Sequence, residues 1–401
     1  MSLFSALTLA PRDPILGLTE AFNADPRPSK VNLGVGVYTD DKGRLPLLSA
    51  VRAAEQRLFE AAAPHDYQPI DGNAAYNAAV QKLLFGADSA QIAQGRIVTV
   101  QALGGTGALK IGADFLKFLN PNAKAAISAP SWENHRALFE AAGFEVSEYA
   151  YYDATTHGVQ FDGLSEALQR MAPGTVAVFH ACCHNPTGVD LSDAQWECIV
   201  QMVRQRELIP FIDIAYQGFG AGVEADARAV RRFAAAGIVC FIASSFSKSF
   251  SLYGERVGAF SIVASNADEA ARVLSRLKRV IRTNFSNPPI YGAALAAMVL
   301  NCAQLRAQWI EELEAMRARL NQMRNALADK LTELGAADRF EFIRRQRGMF
   351  SYSGLTAPQV ERLRNEFGIY ALSTGRICLA ALNTENIDTV ARAIMRILST
   401  N

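Results

Sequence analysis

The sequence predicts an α/β chain, with a large domain built on a mostly parallel sheet covered by helices and a smaller α/β domain made from the two termini. Three observations predict it. Short apolar runs of strand length alternate with helical stretches through the middle of the chain, as in a parallel sheet with helices on both faces. A charged amphipathic stretch without Pro or Gly, from about Ala303 to Leu334, leaves that alternating region as a connecting helix. The chain has 401 residues, 50% of them hydrophobic, which is too long for one ordinary domain and enough for a large core.

The N-terminal segment, residues 1–46, is assigned to the small domain, the large domain to 47–310, and the rest of the small domain to 311–401. Strand candidates follow in order: Ile97-Val-Thr-Val, Ala125-Ala-Ile-Ser, Thr175-Val-Ala-Val-Phe, Ile209-Pro-Phe-Ile-Asp, Ile238-Val-Cys-Phe-Ile-Ala and Gly258-Ala-Phe-Ser-Ile-Val. Between them, 105–118, 132–142, 192–206 and 224–236 carry helical patterns. Beyond the connector, Gly348-Met-Phe-Ser-Tyr-Ser and Gly375-Arg-Ile-Cys-Leu read as strands of the small domain. Ligands of such sheets bind beyond the carboxyl ends of the strands. Asn185, Asp213 and Lys248 each follow an apolar run closely, so the candidate chemistry converges on one sheet edge.

Composition removes several function classes. Forty basic and 39 acidic residues leave a formal charge of +1 with no basic tract, which argues against nucleic acid or an anionic membrane as the main partner. No segment reaches the ~18 consecutive apolar residues of a membrane helix. The apolar start, Met1-Ser-Leu-Phe, has no basic stretch in front of it, and Arg12 falls after it, a poor signal peptide. Six cysteines without disulfide spacing fit a reduced, cytoplasmic setting. His180-Ala-Cys-Cys-His184 continues an apolar strand and has no second ligand pair at zinc spacing, so no metal is expected. His180 and His184 are expected behind Asn185, supporting it.

The chemistry-bearing residues match the demands of pyridoxal 5'-phosphate: an amine for its aldehyde, a carboxylate for its ring nitrogen, donors for its phenolic oxygen, and a cation with hydroxyls for its phosphate. Lys248, in Ser244-Ser-Phe-Ser-Lys-Ser-Phe, is the amine. Asp213, at the end of a strand, can keep the ring nitrogen protonated, while Tyr216 and Asn185, the latter in Asn-Pro-Thr-Gly, can donate to the phenolic oxygen. Gly104-Gly-Thr-Gly107 opens a helical run whose N-terminal N–H groups suit phosphate oxygens. A nicotinamide-dependent oxidoreductase would use that loop too, but the acidic residue expected about 20 positions on has no candidate, and Lys248 and Asp213 would be idle. A cofactor-binding regulator would need a DNA-binding module, and none is expected here.

In this order and at about these distances, the anchors resemble those of the aspartate and aromatic amino-acid aminotransferases, from Asp13-Pro-Ile-Leu to the C-terminus. The resemblance implies fold type I of the pyridoxal-phosphate transferases and a ping-pong transfer of an amino group to 2-oxoglutarate. It implies Lys248 as the Schiff-base lysine that also moves the substrate proton, with Gly105, Thr106, Ser245 and Arg256 around the phosphate. Trp132 would stack on the ring. Arg376, with Gly36 over the same site, would grip the substrate α-carboxylate, and Arg282 the distal carboxylate. Arg282 and Tyr67, the latter reaching the phosphate, would come from the partner subunit of a homodimer. Stretches such as Ser247-Lys-Ser-Phe-Ser-Leu-Tyr-Gly-Glu-Arg and Gly348-Met-Phe-Ser-Tyr-Ser-Gly resemble the aromatic branch, whereas Leu33-Gly-Val-Gly-Val-Tyr resembles the aspartate branch at least as much. The expectation is a tyrosine/phenylalanine enzyme that also accepts aspartate; the alternative is an aspartate aminotransferase.

Overall fold

A sheet of seven strands organises the larger of two units in the computed structural model, in the order Ile97–Leu103, Val257–Val263, Cys240–Ser245, Ile209–Ile214, Val176–His180, Ala125–Ala129 and Val146–Ala150. Neighbours pair in parallel except Val257–Val263, which runs antiparallel to both strands beside it. Six of the seven are buried along nearly their whole length, and the near-continuous apolar runs of the sequence follow from cover on both faces. The edge strand Val146–Ala150 exposes Ser147 and Glu148, so it leaves no apolar run and the sequence does not announce it.

Residues 2–9, 13 and 15–399 are described by the structure; Met1 and Arg12, which bear on the expected absence of a signal peptide, and Pro14, at the start of the family resemblance, lie outside the described residues. The larger unit comprises Leu45–Gln322 with Arg345–Met349, and the smaller comprises Met1–Arg44, Met323–Arg344 and Phe350–Asn401. Among the described residues no helix is long and apolar enough to cross a membrane.

In the larger unit, the helix Gly104–Leu119 lies on the sheet where Phe211, Phe241 and Phe260 stack with centroids 5.9–6.2 Å apart. Gly112 makes that approach possible, since a Cβ there would sit 2.6 Å from both Phe211 and Phe260. Helix Asp193–Gln205 starts at a capping box formed by Ser192 and Gln195. The helical pattern over 224–236 is two helices, Val223–Asp226 and Arg228–Ala235, on either side of Ala227.

The connecting helix runs Ala303–Leu331 and ends in a π-type turn over Thr332–Ala336, where Gly335 takes φ 95°. Leu334, expected inside the helix, therefore falls in the turn. The smaller unit has its own core, in which the helices Ala357–Phe367 and Ile387–Ser399 bury Val360, Leu363, Val390, Ile394 and Ile397. Two short sheets complete it: Val31–Asn32 with Ile369–Tyr370 in parallel, and Phe350–Tyr352 with Arg376–Cys378 antiparallel.

Candidate active site

The antiparallel strand Val257–Val263 determines which residues meet. Ser245 ends one strand and pairs with Gly258 near the start of the next, so the connection 246–256 begins and ends on one sheet edge. Leu103, ending the strand 97–103, pairs with Val257 at that same edge, and the helix Gly104–Leu119 starts there. Lys248, Arg256, Ser245, Gly105 and Thr106 are thus collected by topology.

Arg256 donates to Ser247 Oγ at 3.3 Å and to the Tyr253 carbonyl at 3.0 Å, and its own carbonyl accepts the Gly104 N–H at 2.8 Å. Ser245 Oγ lies 3.3 Å from Ser247 Oγ, and an added Cβ on Gly105 would be 3.0 Å from Ser245 Cβ. Gly104 has φ +67°, and a Cβ there would lie 2.4 Å from Arg256 Nη2. Across the corner, a Cβ on Gly258 would lie 2.3 Å from the backbone carbon of Gly104. Helix Gly104–Leu119 has no side-chain cap, and the N–H groups of a first turn have no intrahelical partners. Helix-end donors, small hydroxyls and a guanidinium in one corner are a donor set that suits a phosphate dianion.

Beside this corner, Asp213 pairs in register with His180 on one side and Ala243 on the other. Asp213 Oδ2 lies 3.0 Å from His135 Nε2, and His135 Nδ1 lies 2.9 Å from Ser131 Oγ. Burial pushes the Asp213 carboxyl up, but the hydrogen bond from His135 and the charge of Lys248 help outweigh it, so Asp213 titrates below the ordinary carboxyl range. It is an ionised, 5% exposed carboxylate, which suits holding a proton on a ring nitrogen. His135, His180 and Asp213 bring ligand-type atoms within 4.8 Å of one another, and the hydrogen bond already joins the closest two.

Lys248 Nζ stands 5.0 Å from the centroid of the Tyr216 ring. Trp132 precedes the helix Glu133–Ala141 and meets the His135 ring edge-on at 5.3 Å. Asn185 and Tyr216 are each 5% exposed. His184, which precedes Asn185 in the chain, has Nδ1 2.8 Å from Thr187 Oγ1, Nε2 2.9 Å from Ser128 Oγ, and its ring stacked on Tyr151 at 3.9 Å. Burial lowers the pKa of both His180 and His184, so both are neutral at pH 7, and each ring contacts the other at 4.4 Å.

Other predicted residues stand elsewhere. In the smaller unit, Arg376 is 1% exposed, with its guanidinium 4.2 Å over the Phe350 ring and Nη2 donating to the Gly34 carbonyl at 2.7 Å. Gly36 belongs to that group, since a Cβ on it would meet Phe350 Cζ at 2.7 Å. Tyr67 is 88% exposed. Arg282 is exposed at the last turn of the helix Ala267–Asn284, donating to Ser286 Oγ.

Sequence reasoning passed over two residues here. His135 joins Asp213 from 78 residues away, and its signal was its place in the first turn of the helix that Trp132 precedes. Phe350 makes the shelf for Arg376, and only the pairing of two strands brings it there.

The Aminotransferase class I and II family model matches residues 28–394. The chain is 62% identical over 398 residues to an aspartate aminotransferase of Pseudomonas aeruginosa, covering 99% of this chain and 100% of that one. It is 49% identical over 389 residues to the aromatic-amino-acid aminotransferase of Escherichia coli, covering 96% and 98%. Among solved structures, an aromatic-amino-acid aminotransferase from Burkholderia pseudomallei covalently bound to pyridoxal phosphate superposes with a TM-score of 0.97. Identity to it is 67%, over 99% of this chain and 100% of that chain.

Proposed function

The chain belongs to the class I and II aminotransferase family, as a pyridoxal-phosphate enzyme, and we propose that it moves the amino group of tyrosine, phenylalanine and aspartate to 2-oxoglutarate by a ping-pong route. The observation that carries the reading is the meeting, at one sheet edge, of Lys248, the ionised Asp213 with its His135 partner, and the uncapped helix end beside Arg256. Bound pyridoxal 5'-phosphate supplies the aldehyde that takes the amino group and the ring that receives the electron pair released at Cα.

The residues divide the remaining work. Lys248 would hold the aldehyde end of the cofactor and would take the proton from the substrate Cα. Asp213 keeps the proton on the ring nitrogen, and His135 fixes the orientation of that carboxylate. Asn185 and Tyr216 donate to the phenolic oxygen, and Trp132 covers the ring. Gly105 and Thr106 bind the phosphate with backbone donors, Ser245 with its hydroxyl and Arg256 with its fork. Arg376 grips the α-carboxylate, with Gly36 leaving room for substrate.

Arg282 and Tyr67 are exposed within the single chain, which suits service in the partner's site of a homodimer, on the distal carboxylate and the phosphate respectively. All six cysteines are free, which supports a cytoplasmic setting. A preference for aspartate over aromatic substrates is the second reading, favoured by the 62% identity to the Pseudomonas aeruginosa aspartate aminotransferase. Single-turnover absorbance changes of the holoenzyme with aspartate, glutamate, tyrosine and phenylalanine decide between the two. Comparable rates for aspartate and tyrosine support dual use, while tyrosine more than about a thousandfold slower, ~4 kcal/mol, gives the aspartate reading.

A further inference from the structure

Two loops present the proposed phenolic-oxygen donors, and each is laced to a carboxylate that the proposed mechanism does not use, the half-buried Asp190 and the buried Asp226. Asp190 takes the backbone N–H of Cys183 on one oxygen and that of His184 on the other, both at 2.9 Å, directly before Asn185. Asp226 takes those of Gly218, Gly220 and Ala221 at 2.8, 2.9 and 2.7 Å, beginning two residues after Tyr216. The loops also touch, through Cys183 Sγ at 4.0 Å from the Tyr216 carbonyl.

The backbone there needs holding. Cys183 has φ +51°, a left-handed conformation that a residue with a side chain adopts at a cost. A Cβ on Gly220 would lie 2.6 Å from Asp226 Oδ1, so the glycine is what lets the loop close on the carboxylate. Burial pushes Asp190 up to about 6 and raises Asp226 as well, against their backbone donors and against Arg347 and Arg317 respectively. A carboxyl whose folded pKa is raised favours folding most when protonated, below about pH 4, and that contribution fades as pH rises through the folded value.

We propose that Asp190 and Asp226 are positioning residues that set Asn185 and Tyr216 at the cofactor's phenolic oxygen by fixing the backbone on either side of them. This rests on the donor roles proposed above for Asn185 and Tyr216. An asparagine at either position keeps the shape but offers one acceptor where the carboxylate offered two, so at least one backbone N–H is released. The donor beyond it then loses its fixed distance, and the phenolic oxygen holds a proton more readily.

The test is a pH titration of the visible absorption band of the holoenzyme, with amide hydrogen exchange of peptides over 181–188 and 216–222 in the apoprotein. Asn185→Ala and Tyr216→Phe are the references, each expected to raise the titration midpoint by about one unit. Asp190→Asn and Asp226→Asn are expected to raise it by about half a unit, with faster exchange in the matching peptide. Adding Asp190→Asn to Asn185→Ala should move the midpoint no further, because the donor it positions is already gone. Asp190→Glu, which keeps the charge but displaces its oxygens, gives the same shift if the charge alone does not suffice, and serves if the amide does not fold. References that shift beside silent Asp190 and Asp226 variants overturn this inference and spare the donor assignment. References that do not shift overturn both.

Discussion

Two arginines proposed for the two ends of a dicarboxylate substrate are held in opposite ways. Arg376 is 1% exposed, lies flat over Phe350 at 4.2 Å and donates to the Gly34 carbonyl, so its fork has one direction before any substrate arrives. Arg282 stands exposed on the last turn of its helix, its guanidinium donating to the hydroxyl of Ser286. A guanidinium loses little entropy on binding when packing has already ordered it, and more when it is free in water. The difference teaches that, on the roles proposed above, the α-carboxylate grip is ordered in advance within one chain, whereas the proposed distal grip waits for the partner of a homodimer. The same contrast divides the buried Asp213 from the exposed Tyr67.

The comparison can be broken at several points. The largest effect belongs to a group that both substrate classes need at the reacting atom. Lys248→Ala should retain cofactor binding yet lose about 10⁴-fold in kcat with aspartate and tyrosine alike, the upper end for general acid–base catalysis. Borohydride treatment of the unsubstituted holoenzyme should attach the cofactor to Lys248, read by peptide mass. Near-normal turnover of the variant would remove the lysine from the chemistry.

Asp213→Asn comes next, with an expected loss of ~10²–10³ in kcat and an unchanged melting profile, since a neutral amide does not hold the ring proton. A loss below about tenfold, ~1.4 kcal/mol, would leave Asp213 as a strand-end hydrogen-bonding group only.

Much of this was legible in the sequence because it is local. Lys248 and Arg256 lie within one short connection, Asp213 and Tyr216 within one strand end, and Asn185 within one turn. The His135–Asp213 pair was not legible, because its partners meet only after the sheet has put strands 125–129, 176–180 and 209–214 side by side. The antiparallel course of 257–263 leaves no trace in apolar periodicity either, since a strand covered on both faces reads the same in either direction. The return of Arg345–Met349 to the larger unit breaks a stretch that composition reads as continuous.

Arg376→Ala should lower kcat/KM for every amino acid tested by about 2–5 kcal/mol, because all present an α-carboxylate. Selective damage to aspartate would reverse the two arginines' roles. Arg282→Ala is the smallest change and the most selective: about tenfold to a hundredfold in kcat/KM for aspartate, and little for phenylalanine. Mixing Arg282→Ala subunits with Lys248→Ala subunits sharpens the point. If Arg282 serves the partner's site, hybrid dimers hold one site with both lesions and one with neither, so aspartate activity returns. No return after proven subunit exchange would place Arg282 in its own chain's site.

The meeting of Gly104 with Gly258 limits how this sequence can drift. A methyl group at 258 would strike the backbone of 104, so no smaller residue at 104 can make room for it. A methyl group at 104 would meet Arg256 and an unfavourable φ together. At 258 the obstacle is backbone, which no side-chain change removes, whereas at 104 relief would require moving Arg256 itself. Among natural variants, alanine at either position should therefore mark a lineage that has stopped selecting for retention of the phosphate.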